Sequence, residues 1–406
     1  MSKPSITIIS LNYAPEDTAI GLYSKQMVDF LIDKNWEVNV ITGFPYYPKW
    51  KISEDYINKP AFYEEEIDGA RVLRFKQFTP SNPSFFKRAL QILDFTYGSL
   101  TNLKAIHSSD IVFSIIPFTS SAWLGKRLAS SLKAKHWVHI QDFEFDAAFE
   151  SGLLPEKGVG SIFSTQLFKL ESRILDSADC VSTISNGMIR KLQSKSSSAN
   201  YLFPNWVDID FVNPSLAKEH EFLKSSSFKV LYSGNIGSKQ DWEVFQKVVK
   251  AFEYDSEIEF VIVGDGGMRA ALESSLSVLE NVTFHDPVPY SELNDLLCSA
   301  DLHVLFQKSD VLDTVMPSKI LGMMASEKPS VVTGNLKSEV AHVFKISNGG
   351  VFIDSSKVED IILNIKKIKS NTEKSIEMGK GARKFMVEGF SRDSVLKAFL
   401  EKLIKL

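Results

Sequence analysis

One stretch constrains the fold more than any other: residues 313–329, which read D-T-V-M-P-S-K-I-L-G-M-M-A-S-E-K-P. A strand-like apolar run, Leu302 to Phe306, precedes it and another, Ser330 to Thr333, follows it. Within the stretch, proline, serine and lysine lead into an apolar helical run, so backbone amides collect at a helix N-terminus. The pattern predicts the loop and helix of a β-α-β unit, and open parallel sheets bind ligands at such loops. An ordinary connecting loop fits this stretch alone equally well.

Strand-like runs alternate with helical runs along the rest of the chain, which predicts an α/β protein. At 406 residues the chain exceeds the size of a single core, so we expect two doubly wound parallel-sheet domains. We place them at residues 1–205 and 206–385, with a hinge at Phe203 to Asp208 and a C-terminal helix, 386–406, packing back towards the first domain. The other predicted strands are Ile6 to Leu11, Glu37 to Thr42, a hairpin from Glu64 to Phe75, Ile111 to Ile116, Lys135 to Ile140, Cys180 to Ile184 as the last of the first half, Lys229 to Ser233, Glu259 to Val263 and Val282 to Phe284.

Composition excludes some classes of protein. A formal net charge of −4 and a pI near 6.0 argue against a nucleic-acid-binding protein. The two cysteines, Cys180 and Cys298, stand in apolar settings, which predicts buried, reduced thiols in a cytoplasmic protein. No apolar run in the sequence reaches the length of a membrane span, and the chain opens with a strand-like I-T-I-I-S-L where a signal peptide would stand, so we expect the protein to stay inside the cell.

Two glycine-bearing loops follow the first two strands of the second half. The loop Y-S-G-N-I-G-S-K-Q holds Gly234, Gly237 and Lys239, a combination that suits a diphosphate, although a simple turn fits it as well. The next loop, V-G-D-G-G-M-R, has Arg269 where a dinucleotide fingerprint needs a small residue, so its signal is weak. Its candidate donor-binding residues are Gly264, Asp265 and Gly266.

In the first half, polar residues follow two predicted strands. Gly21 ends the first loop, where it lets backbone approach a ligand or makes a tight turn. Gln141 and Asp142 lie at the carboxyl end of a strand, where ligand-facing residues collect. His139 is predicted to be a core histidine.

Two segments of the first half could meet a membrane. The loop after the second strand contains the aromatic and basic residues Tyr46, Tyr47, Lys49 and Trp50, which suit sugar stacking, a lipid surface or a plain exposed loop. The helical run Phe85 to Ile106 opens with F-F-K-R and reads either as core or as an interfacial helix.

Together these motifs resemble the retaining glycosyltransferases of family 4, which have the GT-B fold of two Rossmann-like domains facing a cleft. Y-Y-P-K-W, H-I-Q-D-F-E-F-D, Y-S-G-N-I-G and D-T-V-M-P-S-K look particularly like a subgroup from colanic-acid and O-antigen clusters, assigned as fucosyl- or N-acetylfucosaminyl-type transferases. The resemblance implies that the donor is held by Asn235 and the glycine-rich loop together with Asp313, Thr314, Val315, Met316, Pro317, Ser318 and Lys319.

The sequence departs from the family pattern at three places. The acids of the Glu-x7-Glu motif are replaced by Thr314 and Gly322. Asn235 stands where the family has a phosphate-binding arginine, which leaves Lys239 as the matched cation. Gln141 and Asp142 stand where the family has a histidine.

The resemblance implies a metal-independent transfer of a sugar from a UDP- or GDP-linked donor, with no cofactor. The implied acceptor is a polyprenyl-diphosphate-linked saccharide at the cytoplasmic face of the inner membrane. Asp142 and Lys239 are the candidate catalytic residues. A sugar-nucleotide epimerase of the same shape and a catalytically inactive scaffold remain the alternatives.

Overall fold

The computed structural model describes residues 3–17, 19–82, 84–146, 159–309 and 318–406, which form two compact units. The first unit comprises Met1–Pro204 and Leu396–Leu406, and the second comprises Asn205–Val395. Each unit is built on a parallel sheet with helices, so the predicted α/β class with two doubly wound domains is confirmed.

Within the described residues, the first unit has an eight-stranded sheet of order β3-β4-β2-β1-β5-β6-β7-β8. All pairings are parallel except the β3–β4 hairpin, which is antiparallel. The strands are β1 Ser5–Ile9, β2 Glu37–Gly43, β3 Phe62–Ile67, β4 Ala70–Phe75, β5 Ile111–Ile116, β6 Lys135–Ile140, β7 Cys180–Thr183 and β8 Asn200–Leu202. The helices are α1 Ala19–Asp33, α2 Phe85–Leu103, α3 Thr119–Leu132, α4 Val159–Leu175 and α5 Asn186–Lys195.

The central strands are mostly apolar and almost fully buried because helices cover both faces of a parallel sheet. All six residues of β5, I-V-F-S-I-I, are buried. The prediction that the strand at Cys180 is the last of this half is wrong, because β8 adds one more strand at the edge. Its three residues, N-Y-L, are half-exposed or exposed and too few to produce a recognisable period.

The second unit has a six-stranded, wholly parallel sheet of order β11-β10-β9-β12-β13-β14 in the described part of the chain. Its strands are β9 Phe228–Ser233, β10 Ile258–Val263, β11 Val282–His285, β12 Leu302–Phe306, β13 Ser330–Gly334 and β14 Gly350–Asp354. Its helices are α6 Trp242–Lys250, α7 Arg269–Leu276, α8 Leu293–Ser299, α9 Ser318–Ala325, α10 Glu339–Ser347, α11 Val358–Ser370 and α12 Thr372–Gly389, with α13 Arg392–Ile404 after them. The sequence analysis missed β14, an edge strand that begins at a glycine and is only partly buried.

The end of the chain belongs to the first unit. After the predicted break at Gly389, helix α13 carries Phe399 into that unit's core. The Phe399 ring stacks on Phe203 with ring centroids 4.5 Å apart and also lies against Trp137 at 5.3 Å. The last turns of the chain therefore complete the aromatic core of the first unit.

Candidate active site

The strand order of the second sheet reverses at β9, which pairs with β10 on one side and β12 on the other. Loops that leave adjacent strands at such a switch point diverge and leave room for a ligand. The loop 234–241 leaves β9 there and is bonded to the end of β12, because the Asp241 amide donates to the Phe306 carbonyl over 3.0 Å. The predicted diphosphate loop therefore occupies the switch point of this sheet.

Glycines let the loops after β9 and β10 pack backbone to backbone. Gly264 and Gly266 have φ values of +157° and +154°, in the region that favours glycine. A Cβ on Gly264 would lie 2.0 Å from the Gly234 carbonyl oxygen, and one on Gly266 would lie 2.4 Å from the Ile236 oxygen. In the structure, Gly264 and Gly266 therefore allow the loop after β10 to pack closely against the loop 234–241.

The ammonium group of Lys319 lies against this loop. Its Nζ donates to the Tyr232 hydroxyl over 2.8 Å and to the Asn235 carbonyl over 3.0 Å, and lies 4.8 Å from the centre of the Tyr232 ring. The Lys319 side chain fills the space beside Gly234, where a Cβ would lie 2.4 Å from Lys319 Cε. Because both hydrogen-bonding partners are neutral, burial dominates and lowers the pKa of Lys319 to about 8.

Lys239 lies exposed in the same loop. Among the described residues, no carboxylate forms an ion pair with Lys239 or Lys319. Arg269 differs, because its guanidinium pairs with Asp286 over 2.5 Å and donates to the Gly264 carbonyl. The loop therefore has two cations without a carboxylate partner in the described residues, and an anionic ligand could bind both.

Some predicted phosphate donors already have partners. The Gly237 amide donates to Gln240 Oε1 over 3.1 Å, so a phosphate would have to displace that side chain. The Gly266 amide donates to Asp265 Oδ1 over 2.8 Å. Donor binding by Gly237, Asp265 and Gly266 stays a prediction.

Five predicted donor contacts lie outside the described residues, namely Asp313, Thr314, Val315, Met316 and Pro317. Ser318, the next described residue, is exposed and is the first residue of α9. The roles of these residues in binding the donor sugar stay predictions.

In the first unit, Asp142 is exposed just beyond the carboxyl end of β6. The preceding residue, Gln141, bonds through its amide nitrogen to His139 Nε2 over 3.0 Å. Since an amide nitrogen can only donate, His139 Nε2 accepts and its Nδ1 donates to Ser182 Oγ over 2.9 Å. Burial lowers the pKa of His139 to about 3, so it is neutral, and the predicted core histidine is confirmed.

Two acids near Asp142 have structural partners. Glu144 Oε2 accepts the Thr119 amide, the first of helix α3, over 2.8 Å, and burial raises the pKa of its carboxyl. Asp146 pairs with Lys195 and Lys191 at 2.7 and 3.0 Å. Asp142 is the exposed member of this alternating series of acids, and its catalytic role stays a prediction.

The close approach that requires glycine at position 21 is to Glu16. A Cβ on Gly21 would lie 2.7 Å from the Glu16 carbonyl oxygen. The buried Glu16 carboxylate accepts the Tyr46 and Tyr47 amides, both over 2.8 Å, and burial raises its pKa. The sequence analysis missed Glu16, whose only signal was an acid in the loop directly after β1. Donor binding by Gly21 stays a prediction.

The aromatic loop after β2 is only partly available to a ligand. Tyr46 is 6% exposed and packs with Leu11 and other apolar side chains, so the prediction that its ring enters a lipid surface is wrong. Tyr47 is 40% exposed and Lys49 is exposed. Trp50 is partly buried, and the Arg88 guanidinium lies 5.7 Å from its ring centre.

Cys180 and Cys298 are free and buried, as predicted. In the described ranges, no three or more His, Cys, Asp or Glu side chains are grouped to hold a metal ion. Nor is any described helix long and apolar enough to span a membrane.

Comparison with known proteins gives the family. Residues 216–385 match the model of the glycosyl transferases group 1. Over 418 aligned residues, the chain is 32% identical to the putative colanic acid biosynthesis glycosyl transferase WcaI of Escherichia coli (strain K12), covering 98% of this chain and 99% of that protein. Two solved structures share the fold: sucrose-phosphate synthase from Thermosynechococcus elongatus (TM-score 0.73, 13% identity, 99% of both chains) and Anabaena HepE in complex with UDP (0.67, 12%, 99% of this chain and 100% of that one). The chain is 32% identical to WcaI over nearly the full length of both proteins, and its residues 216–385 match the family model. The chain therefore belongs to the group 1 glycosyltransferases.

Proposed function

We propose that this glycosyltransferase transfers a sugar, of fucose or N-acetylfucosamine type, from a UDP- or GDP-linked donor to a lipid-linked saccharide with retention of anomeric configuration. The product would belong to a bacterial surface polysaccharide such as colanic acid, O-antigen or capsule. The name of the relative WcaI supports this class of product. The reaction would proceed without a metal ion.

One observation carries the proposal: Lys239 and Lys319 lie in or against one loop at the switch point, without carboxylate partners among the described residues. A departing nucleoside diphosphate develops negative charge as its bond to the sugar breaks. Positive charges already in position stabilise that transition state without costly reorganisation. The two lysines can perform this task in place of a metal ion.

In the proposed reaction the donor's diphosphate binds at the loop 234–241, beside the start of α9. Lys319 Nζ already lies 3.0 Å from the Asn235 carbonyl and 2.8 Å from the Tyr232 hydroxyl, so its position is fixed before the donor arrives. Lys239 is exposed and can turn its ammonium towards a phosphate oxygen. The bond from the anomeric carbon to the diphosphate breaks, the acceptor hydroxyl oxygen forms the new bond on the same face of the sugar, and the hydroxyl proton passes to the departing diphosphate oxygen.

Asp142 is our candidate for a carboxylate that orients the acceptor or stabilises positive charge on the sugar ring. Asp142 is exposed and therefore accessible to a saccharide hydroxyl.

A lipid-linked acceptor would bring the enzyme to the cytoplasmic face of the inner membrane, where it would bind peripherally. Tyr47, Lys49 and Trp50 are candidates for contact with the acceptor or its membrane.

The test begins with a panel of UDP- and GDP-sugars in a thermal-shift assay, because a ligand that binds only the folded state raises the melting temperature. The preferred donor is then incubated with lipid-linked acceptors in the presence of EDTA, and the anomeric configuration of the product is read by NMR. An inverted product or loss of activity with EDTA contradicts the retaining or metal-independent part. Conversion of the donor without an acceptor indicates an epimerase, and donor binding without turnover on any acceptor indicates a scaffold.

A further inference from the structure

Helix α2 exposes large apolar side chains and buries mostly polar or small ones. Its exposed stripe comprises Phe86, Leu90, Leu93 and Tyr97, with exposed fractions of 69, 41, 66 and 76%. The spacing of these four residues puts them on one face of the helix.

The opposite face packs on the first unit through Gln91, Phe95, Ser99 and Asn102, which are at most 7% exposed. Gly98 also faces inwards, where a Cβ would lie 2.2 Å from the Phe75 ring. A surface helix normally buries its apolar stripe and exposes its polar one. The reversed pattern in α2 indicates that its outer, apolar face contacts a partner and does not simply face solvent.

Charge identifies what covers this face. The first turn of α2 has exposed Lys87 and Arg88, and exposed Lys104 follows the last turn. The acid along the helix, Asp94, accepts the Phe78 amide over 2.5 Å. The surroundings of the stripe are therefore basic, although the whole chain has a net charge of −4.

We propose that the exposed stripe of α2 inserts into the headgroup region of an anionic bilayer, with Lys87, Arg88 and Lys104 contacting lipid phosphates. Leu, Phe and Tyr side chains with flanking cations are the composition of helices that lie in a membrane interface. The choice of a bilayer rests on the lipid-linked acceptor of the proposed function.

A second copy of this chain fits the stripe less well. In an antiparallel two-fold pair of α2 helices, Lys87 and Arg88 of one copy would lie near Lys104 of the other, and in a parallel pair each of these cations would lie near its own counterpart. Like charges would then meet at both ends of the apolar contact. A bilayer with anionic lipids neutralises the same cations.

The test is sedimentation of the full-length protein with phosphatidylglycerol-containing vesicles that hold no saccharide acceptor. Leu93→Glu is the test variant and Leu216→Glu is its matched control, because Leu216 in the second unit is 67% exposed against 66% for Leu93. We expect Leu93→Glu to lower the partition coefficient about tenfold or more and Leu216→Glu to leave it near the wild-type value. Wild-type binding should also weaken with salt and on neutral phosphatidylcholine vesicles.

A fluorescent probe attached to the stripe tests membrane insertion directly, without relying on a variant that loses binding. Because both native cysteines are buried, an environment-sensitive dye can be attached to Leu93→Cys or Leu216→Cys alone. We expect its emission to shift to the blue on adding anionic vesicles at position 93 and not at position 216.

Equal pelleting of Leu93→Glu and wild type, or no shift at position 93, overturns the proposal. So does a wild-type dimer in solution that Leu93→Glu dissociates, if the wild type does not bind vesicles. Donor binding and transfer to a water-soluble acceptor are measured in parallel, so a failure of the membrane surface is distinguishable from a failure of the proposed function.

Discussion

The ammonium of Lys319 leads to a specific prediction for donor binding as a function of pH. Burial lowers its pKa from 10.5 to about 8, and its two partners are the neutral oxygens of Tyr232 and Asn235. A diphosphate bound beside this ammonium would favour the charged form and raise the pKa again. Binding must then take up protons at any pH where the unliganded Lys319 is partly neutral.

The expected size follows from the two pKa values. If the bound ammonium returns to its ordinary pKa, uptake is about 0.1 proton at pH 7 and about 0.75 proton at pH 8.5. Donor affinity should fall about fourfold between these two pH values, because the protonated fraction of unliganded Lys319 falls by that factor.

The measurement is titration calorimetry of UDP and GDP at pH 8.5 in two buffers of different ionisation enthalpy, which gives the number of protons taken up. Lys319→Met should bind the nucleotide more weakly and take up almost none. Lys239→Ala is the matched control, since it removes the other cation of the loop and leaves Lys319 in place. Wild-type binding without proton uptake at pH 8.5 refutes the reasoning, and so does uptake that persists in Lys319→Met.

The same lysine should reduce stability at neutral pH. The unfolded chain holds more protons than the folded one between about pH 8 and pH 10.5, so stability rises with pH across that window and the full cost is present below it. The shift corresponds to about 3 kcal/mol as an upper bound, because Lys319 is only partly buried. Lys319→Met should therefore equal or exceed the wild type in free energy of unfolding at pH 7 and lose that advantage by pH 10.5. Chemical denaturation at the two pH values checks this, and a variant clearly less stable at pH 7 contradicts it.

Three further substitutions test single residues. Lys239→Ala should weaken donor binding by about 1.5–3 kcal/mol in calorimetry, and an unchanged affinity would remove Lys239 from the phosphate site. Asp142→Asn should lower turnover at least about tenfold while donor affinity and melting temperature stay at wild-type values, and wild-type turnover excludes Asp142 from the mechanism. Gly264→Ala should destabilise the protein by about 2 kcal/mol or more in denaturant unfolding, since its Cβ would lie 2.0 Å from the Gly234 oxygen at φ +157°, and a neutral effect contradicts the packing of the two loops.

The central strands could be predicted from sequence because covering both faces of a parallel sheet leaves a continuous apolar run. The run Ile111–Ile116 has the same bounds in the prediction and in the structure. The edge strands Asn200–Leu202 and Gly350–Asp354 could not be predicted in this way, because they are partly exposed and have no continuous apolar run.

The glycine-rich loop and Lys239 were visible because they are neighbours in sequence. The hydrogen bond from Lys319 to Tyr232 was not visible, because the two residues are 87 positions apart. Tyr232 lies in β9 and Lys319 in the helix that follows β12, and the parallel pairing of these two strands brings them together. The Glu16 carboxylate was missed for the same reason, since the Tyr46 amide that it accepts is 30 positions away. Local composition predicts a loop, but not the distant side chain that packs against it.

The position of Lys319 also relates two of the departures from the family pattern. Asn235 replaces a phosphate-binding arginine, yet its carbonyl accepts the Lys319 ammonium over 3.0 Å, so positive charge reaches the loop from helix α9. An acid at position 322, as in the Glu-x7-Glu motif, would stand three residues beyond Lys319 on that helix, at a spacing where opposite charges pair. Such a pair would neutralise the ammonium and raise its pKa. With Gly322 the helix has no acid at that spacing from Lys319, so on the proposed donor site we expect the ammonium to remain available to a phosphate and to supply charge in place of the arginine.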